Sequence, residues 1–216
     1  MTASRAVLFD FDGTLADTAP DLAAAVNRMR VEQGHAPLPI ERLRPFASAG
    51  ARGLVHAAFG VKPGDPQYAA LRETFLEYYA ERVCAETSLF PGIAELIAEL
   101  RRRRIAWGIV TNKATRFTER LVAELKLDPD CVACGDTTPH LKPHPASLLH
   151  AAQQIQVSPQ DCFYLGDDLR DMKAAQAAGM RPIAVEWGYH HPESGGPDTW
   201  QAAAIIRHPL ELIEHL

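Results

Sequence analysis

Hydrophobic positions along the chain follow two rhythms. Short, mostly apolar runs at residues 6–9, 105–110, 131–134, 162–165 and 182–185 have the length of strands buried on both faces. Between the later runs, apolar residues return every three or four positions, as in Ile93, Leu96, Ile97 and Leu100. That spacing predicts helices over 93–103, 116–125, 146–154 and 169–178. The last is rich in alanine and closed by Gly179, a helix stop. Strands alternating with helices predict a parallel sheet wrapped by helices through right-handed crossovers.

The stretch between the first two runs behaves differently. No strand pattern occurs between residues 18 and 85. Thr18, Pro20 and Asp21 make a helix start, and helices are predicted over 22–31, 40–46, 52–59 and 66–83. Gly34, Pro37 and Pro39 separate the first from the second. The expected fold class is therefore α/β: a Rossmann-like parallel sheet flanked by helices, with a small α-helical layer inserted after the first strand. The sheet domain should comprise residues 1–16 and 89–216 and the helical one 17–88. Hinges are expected near 16–18 and 88–91.

Composition narrows function mainly by exclusion. At 216 residues and 47% hydrophobic content, the chain has ample material for such a core. A formal charge of −5 argues against nucleic acid or a membrane surface as partner. No stretch nears the roughly 18 apolar residues of a membrane-spanning helix, and the N-terminus lacks the apolar segment of a signal peptide. Four cysteines without a disulfide-rich composition suit a cytoplasmic protein. Cys131 and Cys134 have C-x-x-C spacing, but no second pair completes a metal site, so they read as ordinary thiols.

The chemistry gathers where the runs end. Residues 6–9 stop at Asp10-Phe11-Asp12-Gly13-Thr14, and α/β sheets bind ligands beyond the carboxyl ends of their strands. Two positions of separation along an extended chain put Asp10 and Asp12 on one face. Thr111-Asn112 follows the second run, Lys142 lies between Leu141 and Pro143, and Gly166-Asp167-Asp168-Leu169-Arg170-Asp171 follows the fourth. In this order the motifs resemble those of the haloacid dehalogenase-like phosphatases, over nearly the whole chain. The resemblance implies a helical cap over the active site, Mg²⁺ as cofactor and a small-molecule phosphomonoester as substrate.

It also implies roles. Asp10 is the nucleophile that forms an aspartyl-phosphate, and Asp12 the general acid and then base. Lys142 neutralises Asp10 and the phosphoryl group, while Thr111 and the backbone near Asn112 hold phosphoryl oxygens. Asp10, Asp167 and a backbone carbonyl of Asp12 form the expected metal site, since a few hard oxygen ligands suit Mg²⁺. Asp171 matches the family pattern, and Asp168 is either a further ligand or a helix N-cap.

The arrangement is most similar to phosphoglycolate phosphatases. Ser48-Ala49-Gly50-Ala51-Arg52-Gly53 and Trp187-Gly188-Tyr189 also resemble the phosphatases of N-acetylmuramic acid 6-phosphate, and a β-phosphoglucomutase-type mutase shares the motifs. Ser48 and Arg52 are therefore expected to touch the substrate. Both phosphatase substrates carry a carboxylate, which a guanidinium can grip through two hydrogen bonds. Arg52 is read as that grip or as a surface arginine in a first helical turn. His190 and His191 follow Tyr189 and receive no role.

Overall fold

The computed structural model describes residues 5–216 and begins its sheet with β1 (Ala6–Phe9). All four residues are buried. Val7 and Phe9 join one apolar cluster and Ala6 and Leu8 another, as pleating requires of a strand covered on both faces. The chain then leaves the sheet through β2 (Ala16–Asp17) and runs through α1 (Ala19–Glu32), α2 (Ile40–Leu43), α3 (Gly50–Phe59) and α4 (Tyr68–Glu81). It returns through β3 (Ser88–Leu89), which pairs antiparallel with β2. Leu22, Val26, Met29, Leu54, Phe75 and Tyr79 are buried within this helical layer.

The remainder alternates: α5 (Ile93–Arg102), β4 (Ala106–Val110), α6 (Thr115–Glu124), β5 (Cys131–Ala133), α7 (Ala146–Gln154), β6 (Cys162–Gly166), α8 (Leu169–Ala178), β7 (Arg181–Val185) and β8 (Ala204–Ile206). The six-stranded sheet is parallel throughout, in the order β5-β4-β1-β6-β7-β8. Register decides where the chemistry lands. Phe9 stands level with Ile109 of β4 and with Leu165 of β6. The three central strands therefore end together, and Asp10, Thr111 and Asp167 emerge side by side.

Three departures from the sequence reading have local causes. The helix expected over 40–46 is α only to Leu43; Arg44–Ala49 tighten into a 3₁₀ turn, where Pro45 has no N–H to continue an α ladder. Strand β8 has no counterpart in the sequence reading, because it is a three-residue edge strand with only Ile206 buried. Thr18 stands at the N-cap of α1 but caps nothing with its side chain. Instead the Tyr189 hydroxyl accepts from the Thr18 N–H at 2.7 Å and the Ala19 N–H at 3.0 Å. Cys131 and Cys134 are buried free thiols. Among the described residues no helix is long and apolar enough to cross a membrane.

Candidate active site

The site is built from strand ends. Asp10 follows β1 directly, its N–H bonded to the Leu165 carbonyl at 2.9 Å. Lys142 reaches it from the loop before α7, with Nζ 2.8 Å from Asp10 Oδ1 and 2.8 Å from Asp171 Oδ1. The same ammonium donates to Tyr164 Oη at 2.7 Å and to the Val110 carbonyl at 3.2 Å. Burial alone would push the Lys142 ammonium down, but Asp10 and Asp171 outweigh it and raise the group above its ordinary value. Lys142 is a fixed, charged lysine.

Asp167 is fully buried at the end of β6. Its carboxylate accepts from Ser48 Oγ at 2.8 Å, the Tyr189 N–H at 2.9 Å and Thr14 Oγ1 at 3.3 Å. Burial, then Asp10 and Asp171, still push this carboxyl well above the usual range. Burial likewise pushes Asp171 up to about 7, with Lys142 pulling the other way. Asp168 is the N-cap of α8: it accepts from the Arg170 N–H at 2.8 Å and pairs with the Arg170 guanidinium at 2.8 Å. Burial would raise it; Arg170 holds it below the usual carboxylate range.

One oxygen each from Asp10, Asp167 and Asp171 lies within 4.8 Å of the others. Lys142 pairs with Asp10 and Asp171 but not with Asp167, and the hard oxygen donors of the three carboxyls fit a divalent cation such as Mg²⁺. Glycines make room for this crowding: an added Cβ at Gly13 or Gly188 would lie 2.2 Å or 2.1 Å from Asp167 atoms. The Asp12 side chain is not part of the cluster. Its Oδ1 accepts from Thr18 Oγ1 at 2.5 Å and pairs with Lys113 Nζ at 2.8 Å.

A cavity of about 430 Å³ opens between the strand ends and the helical layer, lined by Asp10, Thr111, Lys142, Asp171, Ser48 and Arg52 among others. Thr111 is buried, and its hydroxyl oxygen accepts from the Lys113 N–H at 3.1 Å. Asn112 spends its amide on a reciprocal pair with the Lys142 backbone, at 3.1 and 2.9 Å, and so pins the loop after β4 to the loop before α7. Ser48 turns its hydroxyl to Asp167, while its carbonyl accepts from Arg170 at 3.0 Å. Arg52 is exposed at the cavity wall without an ion-pair partner among the described residues. His190 bonds the Val185 carbonyl at 2.8 Å and His191 packs edge-on against Phe46, both structural contacts.

Sequence reasoning missed Lys113, Tyr189 and Arg170. Lys113 directly follows Thr111-Asn112, the one signal that pointed to it. Tyr189 lies in a stretch noted only for resemblance, and its hydroxyl also donates to Asp17 at 2.9 Å.

Comparison with known proteins agrees with this geometry. The sequence pattern of the haloacid dehalogenase-like hydrolases matches residues 7–185. The chain is 41% identical to the N-acetylmuramic acid 6-phosphate phosphatase of Pseudomonas aeruginosa, covering 98% of this chain and 94% of that one. It is 39% identical to the phosphoglycolate phosphatase of Xanthomonas campestris pv. campestris, covering 99% and 97%. A solved structure from Haemophilus somnus superposes with a TM-score of 0.86 over 100% of this chain and 99% of that one; at 22% identity it shows the shared fold. With the motif order, the strand-end cluster and these matches in agreement, the chain belongs to the haloacid dehalogenase-like hydrolase family.

Proposed function

We propose that the chain is a Mg²⁺-dependent phosphatase that hydrolyses a small phosphomonoester through an aspartyl-phosphate on Asp10. The observation that carries this reading is the pairing of Asp10 with Lys142 at 2.8 Å, beside three carboxylate oxygens gathered within 4.8 Å. Phosphoryl transfer needs positioning and charge neutralisation more than covalent help, and this arrangement offers both. The names of its relatives point the same way.

In this reading Lys142 holds Asp10 Oδ1, leaving the other oxygen to attack phosphorus. Asp12 gives a proton to the departing oxygen and later takes one from the water that hydrolyses the intermediate. The Thr111 hydroxyl and the N–H groups before α6 hold phosphoryl oxygens. Asp10, Asp167 and the Asp12 carbonyl would hold the metal, with Asp171 beside them. Mg²⁺ there supplies positive charge against the phosphoryl oxygens.

The helical layer, residues 17–88, acts as the cap that reads the rest of the substrate. Ser48 and Arg52 are its contributions, and an unpaired guanidinium at the cavity wall suits a substrate carboxylate. Phosphoglycolate and N-acetylmuramic acid 6-phosphate both meet that description. Four free cysteines fit a cytoplasmic setting.

Phosphate release from a panel of phosphorylated metabolites, with and without a chelator, tests the proposal. Carboxylate-bearing monoesters should head the panel, and the chelator should abolish turnover until Mg²⁺ is restored. Asp10→Asn should be inactive yet folded; a purified variant keeping a tenth of wild-type activity would rule out the aspartyl-phosphate. Isomerisation of a hexose phosphate without phosphate release would replace the phosphatase by a mutase.

A further inference from the structure

Lys113 is held against the acid–base carboxylate with unusual completeness. Its backbone is fixed on both sides: its N–H donates to Thr111 Oγ1 at 3.1 Å, and its carbonyl accepts from the Gly135 N–H at 2.8 Å. The side chain is buried, with Nζ 2.8 Å from Asp12 Oδ1 and 4.9 Å from the centre of the Tyr79 ring on α4. Thr18 Oγ1 donates to the same oxygen at 2.5 Å. Both donors hold Oδ1, and among the described residues none donates to Oδ2.

We propose that Lys113 is the positioning residue of Asp12. It grips Oδ1 from the sheet side while Thr18 grips it from the hinge, which leaves Oδ2 as the oxygen that exchanges the proton. Tyr79 walls the pair on the cap side, so the grip is complete only with α4 over the sheet. The proposal rests on the acid–base role given to Asp12 above. In the first step the Oδ2 proton passes to the leaving oxygen as its bond to phosphorus breaks and the Asp10 bond forms. In the second, Oδ2 takes a proton from water as the water oxygen attacks phosphorus and the Asp10 bond breaks. A carboxyl that swings by an ångström loses much of this, on the order of 10²-fold in rate.

The test compares two leaving groups. An alkoxide needs a proton to depart, whereas the nitrophenolate of para-nitrophenyl phosphate hardly does. Lys113→Met keeps the length and removes the charge. In a single turnover of the alkyl phosphate that wild type turns over fastest, alcohol release should slow about 10–100-fold, within the range general acid–base catalysis supplies. The half-saturating substrate concentration should stay within about 3-fold, and single-turnover release of nitrophenolate from para-nitrophenyl phosphate, which precedes the hydrolysis step common to both, should slow by no more than about 3-fold. Lys113→Arg should recover most of the loss. Equal slowing of the release of both leaving groups, or a loss carried by the half-saturating concentration, overturns the proposal. Asp12→Asn, assayed alongside, separates the two claims. If it shows the alkyl-selective loss and Lys113→Met does not, only the role of Lys113 falls. If Asp12→Asn keeps its alkyl turnover, the acid–base reading falls and this proposal with it. Should Lys113→Met fail to fold, Lys113→Gln carries the same comparison.

Discussion

Two glycines close on Asp167, and filling either should loosen the proposed metal site. A methyl at Gly188 would sit 2.1 Å from Asp167 Cβ and 2.9 Å from the Gly13 carbonyl oxygen. At Gly13 it would sit 2.2 Å from Asp167 Oδ2. Carbon atoms in contact prefer about 3.5–4.0 Å, so the aspartate cannot stay where it is. Nor can it yield freely, because Ser48 and Tyr189 hold the same oxygen at 2.8 and 2.9 Å. Overpacking costs about 1–3 kcal/mol. Gly13→Ala adds about 1–2 kcal/mol, since its φ of +84° suits glycine.

At roughly 2–4 °C per kcal/mol for a chain of this size, Gly188→Ala should lower Tm by about 2–12 °C. Gly13→Ala should lower it by about 4–20 °C on the same scale. Both should raise the Mg²⁺ concentration for half-maximal activity by about 10–100-fold, the usual cost of disturbing a metal ligand's support. Melting curves and Mg²⁺ titrations of phosphate release check the two effects separately. A Gly188→Ala protein with wild-type melting and wild-type Mg²⁺ dependence would refute the reasoning, because a 2.1 Å contact has no harmless form.

Three further outcomes are expected. Arg52→Ala should cost about 1.5–3 kcal/mol in kcat/KM on a carboxylate-bearing substrate and spare para-nitrophenyl phosphate; equal losses would make Arg52 structural. Asp21 is fully buried, and its Oδ2 ties the start of α1 to the returning chain through Glu86 N–H, Thr87 N–H and Thr87 Oγ1 at 2.9, 2.8 and 2.8 Å. Asp21→Ala strands those donors and should cost about 3 kcal/mol in urea unfolding, and a change under about 1 kcal/mol would count against the tie. Asp171 and Asp167 are carboxyls raised by the fold, so the folded state holds extra protons: that stability is present below about pH 4 and drains away as pH rises towards 7. Chelated protein should accordingly gain more Tm from added Mg²⁺ at pH 8 than at pH 5, and the opposite order would show the cluster does not hold the ion.

What the sequence disclosed divides along one physical line. A strand's apolar run and its abrupt polar end are local features, so Asp10, Thr111 and Asp167 were legible as candidates, and parallel register then brought them level. Lys142 was legible by its motif alone, since nothing local says that its ammonium reaches both Asp10 and Asp171. Partnerships were not legible. Asp12 meets Lys113 across 101 positions, Ser48 meets Asp167 across 119, and Tyr189 meets the start of α1 across 171. The two readings open for Asp168 differed only in where its side chain turns, which Arg170 decides.

The start of α1 shows why such failures of local reasoning are informative. Thr18 is a good capping residue at a capping position, so by local preference its hydroxyl should serve the helix. It is spent on Asp12 instead, and a core residue, Tyr189, supplies the missing acceptor. Tyr189 also has its own N–H on Asp167. The entry to the helical layer, the carboxylate proposed for acid–base work and the one proposed to hold metal thus share one chain of hydrogen bonds, running Asp12–Thr18–Tyr189–Asp167. A local rule broken without strain, because a distant group makes good the loss, marks a place where the site, and not the helix, has determined the contact.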